Sequence, residues 1–361
     1  MISNQLMERF LFSAIATSGC FLLSGKHLSK SGCDGENIQS KIVFLGTGSS
    51  TGCPRPSCSL LFSERAQESL NLKETRDAME KYCHVSKVAS RGNPKYNKNY
   101  RNNPSLLIML EDGTNVIIDV GKTFREGALR WLPEVGATQL DAIILTHQHM
   151  DAVAGLDDVR GFQRWKFDGE KRLGSVAMPL FLSSECLEAL QEQFPWLLPK
   201  ATAIIADEGK PRVERHVASF QVKVFEKFSP FTIGTLKVTP LPVIHGEDLI
   251  SYGFSFTVGR TNVVYLSDIS RMLPETLDYI CSKLPPTDVL IIDALNPDHD
   301  HPVHYSMEQA IVMSHEIAPR KMTYLVGMNC DAFPLHDDMN RLLRQEHGNI
   351  RFAHDGLVLE T

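Results

Sequence analysis

The chain has 361 residues, 43% of them hydrophobic and 22% charged, with a formal net charge of -6. Those values belong to a folded globular protein and exclude wholesale disorder, a collagen-like repeat and a polytopic membrane protein. A pI near 6.1 excludes a global field for nucleic acid, so any grip on phosphate or RNA has to come from a local patch.

Residues 1–40 stand apart. An apolar stretch from Phe10 to Leu23 is interrupted by Ser13, Thr17, Ser18 and Gly19, with Glu8 and Arg9 before it and Lys26 and Lys30 after it. It is too short and too polar to span a bilayer, and reads as a disordered leader or an organelle-targeting peptide. No second apolar run approaches membrane length, so no membrane association is expected. The eight cysteines are scattered along the chain, which argues against a disulfide framework and for a reducing compartment. A cytoplasmic location follows, or an organelle if residues 1–40 are a transit peptide.

The ordered part, 41–361, begins with Lys41–Gly46, a β-branched and aromatic run closed by Gly46-Thr47-Gly48-Ser49-Ser50. A polar segment around 63–103 reads as an insertion. Its end, Val85 to Arg101, carries Lys87, Arg91, Lys95, Lys98 and Arg101 with no acid, and is either a solvated loop or a phosphate or RNA contact beside an active site. Ser105–Leu110 and Val116–Asp119 flank Glu111-Asp112-Gly113-Thr114 as a hairpin. Further strands are expected at Ala142–Thr146, Met178–Leu182, Phe220–Phe225, Leu236–Thr239, Tyr252–Val258, Asn262–Leu266, Val289–Asp293 and Met322–Val326. Helical patterns cover Phe124–Trp131, Val153–Gly161, Ser184–Phe194, Pro274–Cys281, Met307–Ile317 and Leu335–Glu346. The early half is hairpin-rich and the later half alternates strands with helices. Two sheets packed face to face with helices outside accommodate both.

The strand Ala142–Thr146 runs directly into His147-Gln148-His149-Met150-Asp151-Ala152. Two imidazoles and a carboxylate, each two residues apart, leave one strand end together, and that density of nitrogen and oxygen donors reads as a metal site. His245 and Asp268 each follow an apolar strand and arrive at a sheet edge in the same way.

With these residues in view, the sequence resembles the metallo-β-lactamase superfamily, whose hallmark is a His-x-His-x-Asp-His loop after a strand. The resemblance implies an α/β fold with four αββα layers. Leu45-Gly46-Thr47-Gly48-Ser49-Ser50, Asn103-Pro104-Ser105-Leu106-Leu107-Ile108 and Val289–Asp293 look most like its phosphodiesterase branch. That branch holds the cyclic-phosphate phosphodiesterase of phosphonate breakdown and, more distantly, the tRNA 3'-processing endonucleases. Carried over residue by residue, it makes His147, His149 and His245 ligands of one metal site and Asp268 the bridging carboxylate. Asp151 belongs to a second site and orients the attacking water, and His304 is the proton donor to the leaving oxygen. It also implies a structural zinc on Cys53, Cys58, Cys83 and Cys330.

Two positions depart from that pattern. Ala152 stands where the motif's last His belongs, and Gly327 stands where a later strand, Tyr324-Leu325-Val326-Gly327, should end in a ligand His. Both imidazoles belong to the second site, so a single Zn2+, with Mn2+ as the alternative, is expected on His147, His149, His245 and Asp268. His336, His299 or His301 are the candidates to substitute for the missing ligands. The expected chemistry is metal-assisted hydrolysis of a small anionic phosphate ester. RNA as substrate and homo-oligomerisation stay open. Thioester hydrolysis is the alternative within the same fold. A metal-binding but non-catalytic regulator that has lost its second site is the alternative of another class.

Overall fold

The computed structural model describes residues 39–60, 83–200 and 217–361. The expected leader and the first part of the expected insertion lie outside the described residues.

Along the chain run β1 (Lys41–Gly46), α1 (Pro56–Leu60), α2 (His84–Ala89), β2 (Ser105–Met109), β3 (Asn115–Ile118), α3 (Phe124–Val135), β4 (Ala142–Ile144) and α4 (Met150–Val153). After a 3₁₀ segment at Leu156–Phe162 come β5 (Trp165–Asp168), β6 (Lys171–Ser175), β7 (Met178–Leu182), α5 (Ser184–Gln193) and β8 (Phe220–Val224). The second half holds β9 (Phe231–Ile233), β10 (Leu236–His245), β11 (Leu249–Val258), β12 (Thr261–Leu266), α6 (Pro274–Ser282) and β13 (Val289–Asp293). It closes with α7 (Met307–Ile317), β14 (Met322–Val326), α8 (His336–His347), β15 (Ile350–Phe352) and β16 (Val358–Glu360).

Two seven-stranded sheets result, ordered β16-β1-β2-β3-β4-β7-β8 and β15-β14-β13-β12-β11-β10-β9. In β1, Val43 and Leu45 enter one apolar cluster while Ile42 and Phe44 enter another. Period-2 alternation that is apolar on both sides marks a sheet covered on both faces. The same split separates Ile117 from Val116 and Ile118, and, in the second sheet, Leu290 and Ile292 from Val289 and Ile291. The middle cluster therefore lies between the sheets. The outer two are closed by helices: α3 lends Phe124, Ala128, Trp131 and Leu132 to the first, and α7, opened by a capping box between Ser306 and Gln309, lends Ala310, Met313 and Ile317 to the other. This is the four-layer αββα order.

Each sheet begins antiparallel and continues parallel: β1–β2–β3 then β4, β7, β8 in one, β9–β12 then β13, β14, β15 in the other. The hairpin-rich and alternating styles thus recur in both halves rather than dividing them. The carboxyl ends of the parallel strands β3, β4, β12, β13 and β14 deliver Asp119, His147, Asp268, Asp293 and Gly327, and strand ends of this kind are where an α/β fold builds its sites.

Two expected elements differ. The strand expected to end at Thr239 continues to His245 through Pro240 and Pro242, which pair with Phe254 and Tyr252 of β11. β9 covers the other edge of β10 only at Leu236–Val238, so both prolines can turn their N–H-less side to an edge with no strand. The helix expected at Val153–Gly161 is instead α4 followed by the 3₁₀ segment. Gly155 leaves the helix between them to donate its N–H to Val120 O at 2.7 Å. No helix among the described residues is long and apolar enough to cross a membrane.

Candidate metal centre

Thr146 anchors the metal loop. Its N–H donates to Asp119 Oδ1 at 2.9 Å, its hydroxyl to Asp119 Oδ2 at 2.8 Å, and its carbonyl accepts from Tyr252 of the facing sheet at 3.0 Å. Because the Thr146 hydroxyl proton is given to Asp119, its oxygen accepts from His147 Nδ1 at 2.8 Å. That bond fixes the tautomer and leaves His147 Nε2 as a lone pair, buried and without any hydrogen-bond partner. An unpaired buried nitrogen costs about 1–3 kcal/mol, so its retention points to a partner of another kind.

His149 is the residue before α4, and its Nδ1 lies 3.2 Å from Nε2 of His245. His245 ends β10 and donates from Nδ1 to Val303 O at 2.6 Å, which frees Nε2 for the site. The ligand atoms of His147, His149 and His245 all lie within 4.8 Å of one another. A tetrahedral zinc about 2.0 Å from each imidazole nitrogen holds such nitrogens about 3.3 Å apart, so the His149–His245 approach fits an ion between them. The residues present suit a divalent metal.

Asp268 joins a second close set, with His245 and His304. His304 gives Nδ1 to Asp293 Oδ2 at 2.6 Å, which turns Nε2 inward. Burial pulls its pKa down, yet the Asp293 carboxylate outweighs that and raises it to about 9. Burial and Asp268 push Asp151 up to about 6, with Lys122 opposing. Burial alone would raise Asp268, but His147, His245 and His304 pull it below its usual range. Burial lowers His147 to about 3, and lowers His149 as well, so both rings are neutral and ready to bind a cation.

The substitute ligands are placed unevenly. His301 lies at the edge of the site with its ring centre 5.6 Å from that of His304. His299 is exposed and paired with Asp298. His336 is elsewhere: Nδ1 sits 3.1 Å from Arg101 Nη2 and Nε2 2.9 Å from Asn340 Nδ2. Ala152 packs into the apolar cluster beneath the first sheet. Gly327 has φ +80°, and a Cβ there would lie 2.1 Å from Asp293 Oδ1. The missing imidazole at that position leaves the room in which Asp293 holds His304.

The four cysteines come together in a small buried cluster. Cys58 Sγ lies 2.7 Å from Cys83 Sγ and 3.9 Å from Cys330 Sγ. A hydrogen bond from Cys53 outweighs burial and lowers Cys330 to about 6. Three of the five cations in the basic segment beside them are committed to the protein itself. Arg101 is buried and binds Thr47 Oγ1 at 2.9 Å and Ala353 O at 2.7 Å, Lys95 pairs with Glu134 at 2.7 Å and Lys98 with Asp337 at 3.0 Å.

Asp119, Thr146 and Asp293 escaped the sequence reading as site residues. Asp119, Asp268 and Asp293 each close an apolar strand, and that threefold recurrence was the signal.

A family model described as "Beta-lactamase superfamily domain" matches residues 114–326. Among curated proteins, an octanoyltransferase of Porphyromonas gingivalis (strain ATCC BAA-308 / W83) is 25% identical over 322 residues, covering 88% of this chain and 51% of that protein. The chain thus spans about half the length of that relative. Among solved structures, a diphosphatase of the PhnP family is 26% identical, with a TM-score of 0.63 over 90% of this chain and 98% of that one. The Zn2+-bound PqqB of Methylobacterium extorquens has the same fold at 16% identity, with a TM-score of 0.61 over 89% and 100%.

Proposed function

Because the chain belongs to the beta-lactamase superfamily, we propose that it is a metal-dependent phosphodiesterase acting on a small cyclic or nucleotide-like phosphate. The observation that carries this reading is the convergence of His147, His149 and His245, with the unpaired Nε2 of His147 among them, on Asp268 and the Asp293-held His304. The likeness to a PhnP-family diphosphatase supports phosphoester chemistry.

His147, His149, His245 and Asp268 would hold one Zn2+, or Mn2+ in its place. A divalent ion supplies a Lewis acid there and makes water a nucleophile near neutral pH. Asp151, raised towards neutrality, orients the attacking water and takes its proton. His304 carries a proton at neutral pH and donates it from Nε2 to the leaving oxygen, while Asp293 fixes the ring. Cys53, Cys58, Cys83 and Cys330 would hold a separate structural zinc. Tetrahedral thiolates stand about 3.8 Å apart around zinc, which the Cys58–Cys330 distance matches and the 2.7 Å Cys58–Cys83 distance does not.

A second reading, thioester hydrolysis, is favoured by the octanoyltransferase likeness. The deciding experiment purifies the chain without added metal, measures metal per chain, and assays bis(4-nitrophenyl) phosphate beside an octanoyl thioester. Turnover of the diester that a chelator abolishes and zinc restores supports the proposal. A metal-loaded protein that cleaves only the thioester overturns it, as does one that cleaves neither, which favours the non-catalytic reading.

A further inference from the structure

The loop after β3 is locked to the metal loop. Val120 N–H donates to Ala152 O at 2.8 Å, and Gly121 packs so closely on the Asp151 backbone that a Cβ there would lie 1.8 Å from Asp151 O. The next residue, Lys122, is exposed and donates from Nζ to Ser50 O at 2.6 Å, which ties the loop after β3 to the loop that follows β1. An ammonium has three N–H donors and that bond uses one. A backbone carbonyl leaves the positive charge in place, unlike the carboxylates that take up Lys95 and Lys98.

We propose that Lys122 is the phosphate anchor of this site, a specificity residue that selects anionic esters; the proposal rests on the phosphodiesterase reading and names what receives the substrate's charge. Its two remaining donors belong to the residue next to the Gly121–Asp151 contact, and an anionic ester brings a charge that a cation there can receive.

The test uses the metal-loaded full chain, Lys122→Gln and Lys122→Arg, with bis(4-nitrophenyl) phosphate as substrate and inorganic phosphate as a directly titrated ligand. In Lys122→Gln, KM and the phosphate Kd should each rise about 10-fold or more, the loss of a charge-assisted bond, with kcat within about threefold and metal content unchanged. Lys122→Arg should recover most of both. An unchanged KM and phosphate Kd overturns the proposal, as does a fall in kcat alone with a shifted pH profile, the mark of a residue that only positions Asp151. If the wild type cleaves no diester, the phosphodiesterase reading fails while the phosphate titration still decides whether Lys122 binds the anion.

Discussion

His147 and His336 are buried alike, at 1% and 3% exposure, yet their nitrogens are used in opposite ways. His147 commits Nδ1 to Thr146 and keeps a free lone pair on Nε2. His336 has its one lone pair, on Nδ1, taken up by the Arg101 guanidinium, so none is left over for an ion. The contrast teaches that a buried imidazole in this fold is read by where its unshared pair goes, not by burial or by neighbouring histidines.

The sharpest test of that contrast is His147→Ala or His149→Ala against His336→Ala. The first two should lose most bound metal and all measurable hydrolysis, while His336→Ala keeps its metal per folded chain and loses only stability. Elemental analysis beside urea unfolding separates the two outcomes, and metal retained in the first pair removes those residues from the centre.

His304→Ala should keep its metal and slow cleavage of an alkyl phosphodiester by about 10²–10⁴-fold. A nitrophenyl ester, whose leaving group needs no acid, should slow far less. Equal losses on both substrates would rule out proton donation, and metal loss would make His304 a ligand.

On the other side of the comparison, Arg101→Met removes a buried cation bound to Thr47, Ala353 and His336 and should cost about 3–5 kcal/mol in urea unfolding. Gly327→Ala imposes a side chain at φ +80° and against Asp293. It should cost about 1–3 kcal/mol and reduce turnover through the displaced His304, which paired unfolding and kinetic measurements would register.

The smallest effect is a pH slope. Burial, reinforced by Arg101, lowers His336 to about 2 in the fold, whereas the unfolded chain takes up that proton near 6.5. Stability should therefore fall as pH drops below about 6.5, with His336 contributing up to about 1.4 kcal/mol per pH unit. His336→Gln should flatten the slope by that amount between pH 6 and 5, and an unaltered slope would show that the ring is protonated in the native state.

The metal loop was legible because a buried strand with two imidazoles and an acid at its end concentrates rare residues where no core needs them. Most strands were legible for a related reason, their apolar runs being covered on both faces. β5, β6, β9, β15 and β16 were not: β5 is exposed along its length and pairs only with β6, and the three residues each of β9, β15 and β16 are too few to show a period. β10 was cut short because proline usually ends a strand, and only the sheet order reveals the open edge. The role of His336 was hidden too: its partners Arg101 and Asn340 join it in three dimensions, and Arg101 sits in what the sequence presents as a free basic segment.

One pairing bears on how the molecule is made. β16 lies along β1, with Lys41 opposite Glu360 and Val43 opposite Val358, and Asp355 accepts from the Thr47 hydroxyl across 308 positions of chain at 2.8 Å. Strand β1 therefore leaves the ribosome long before the strand that covers its edge. At about 5–20 residues per second, the interval is about 15–60 s. Throughout that time β1 offers an apolar strand with an uncovered row of N–H and C=O groups, a template for neighbouring nascent chains. The loop that follows β1 is likewise framed by Asp355, so it is completed only when residues 355–360 have emerged.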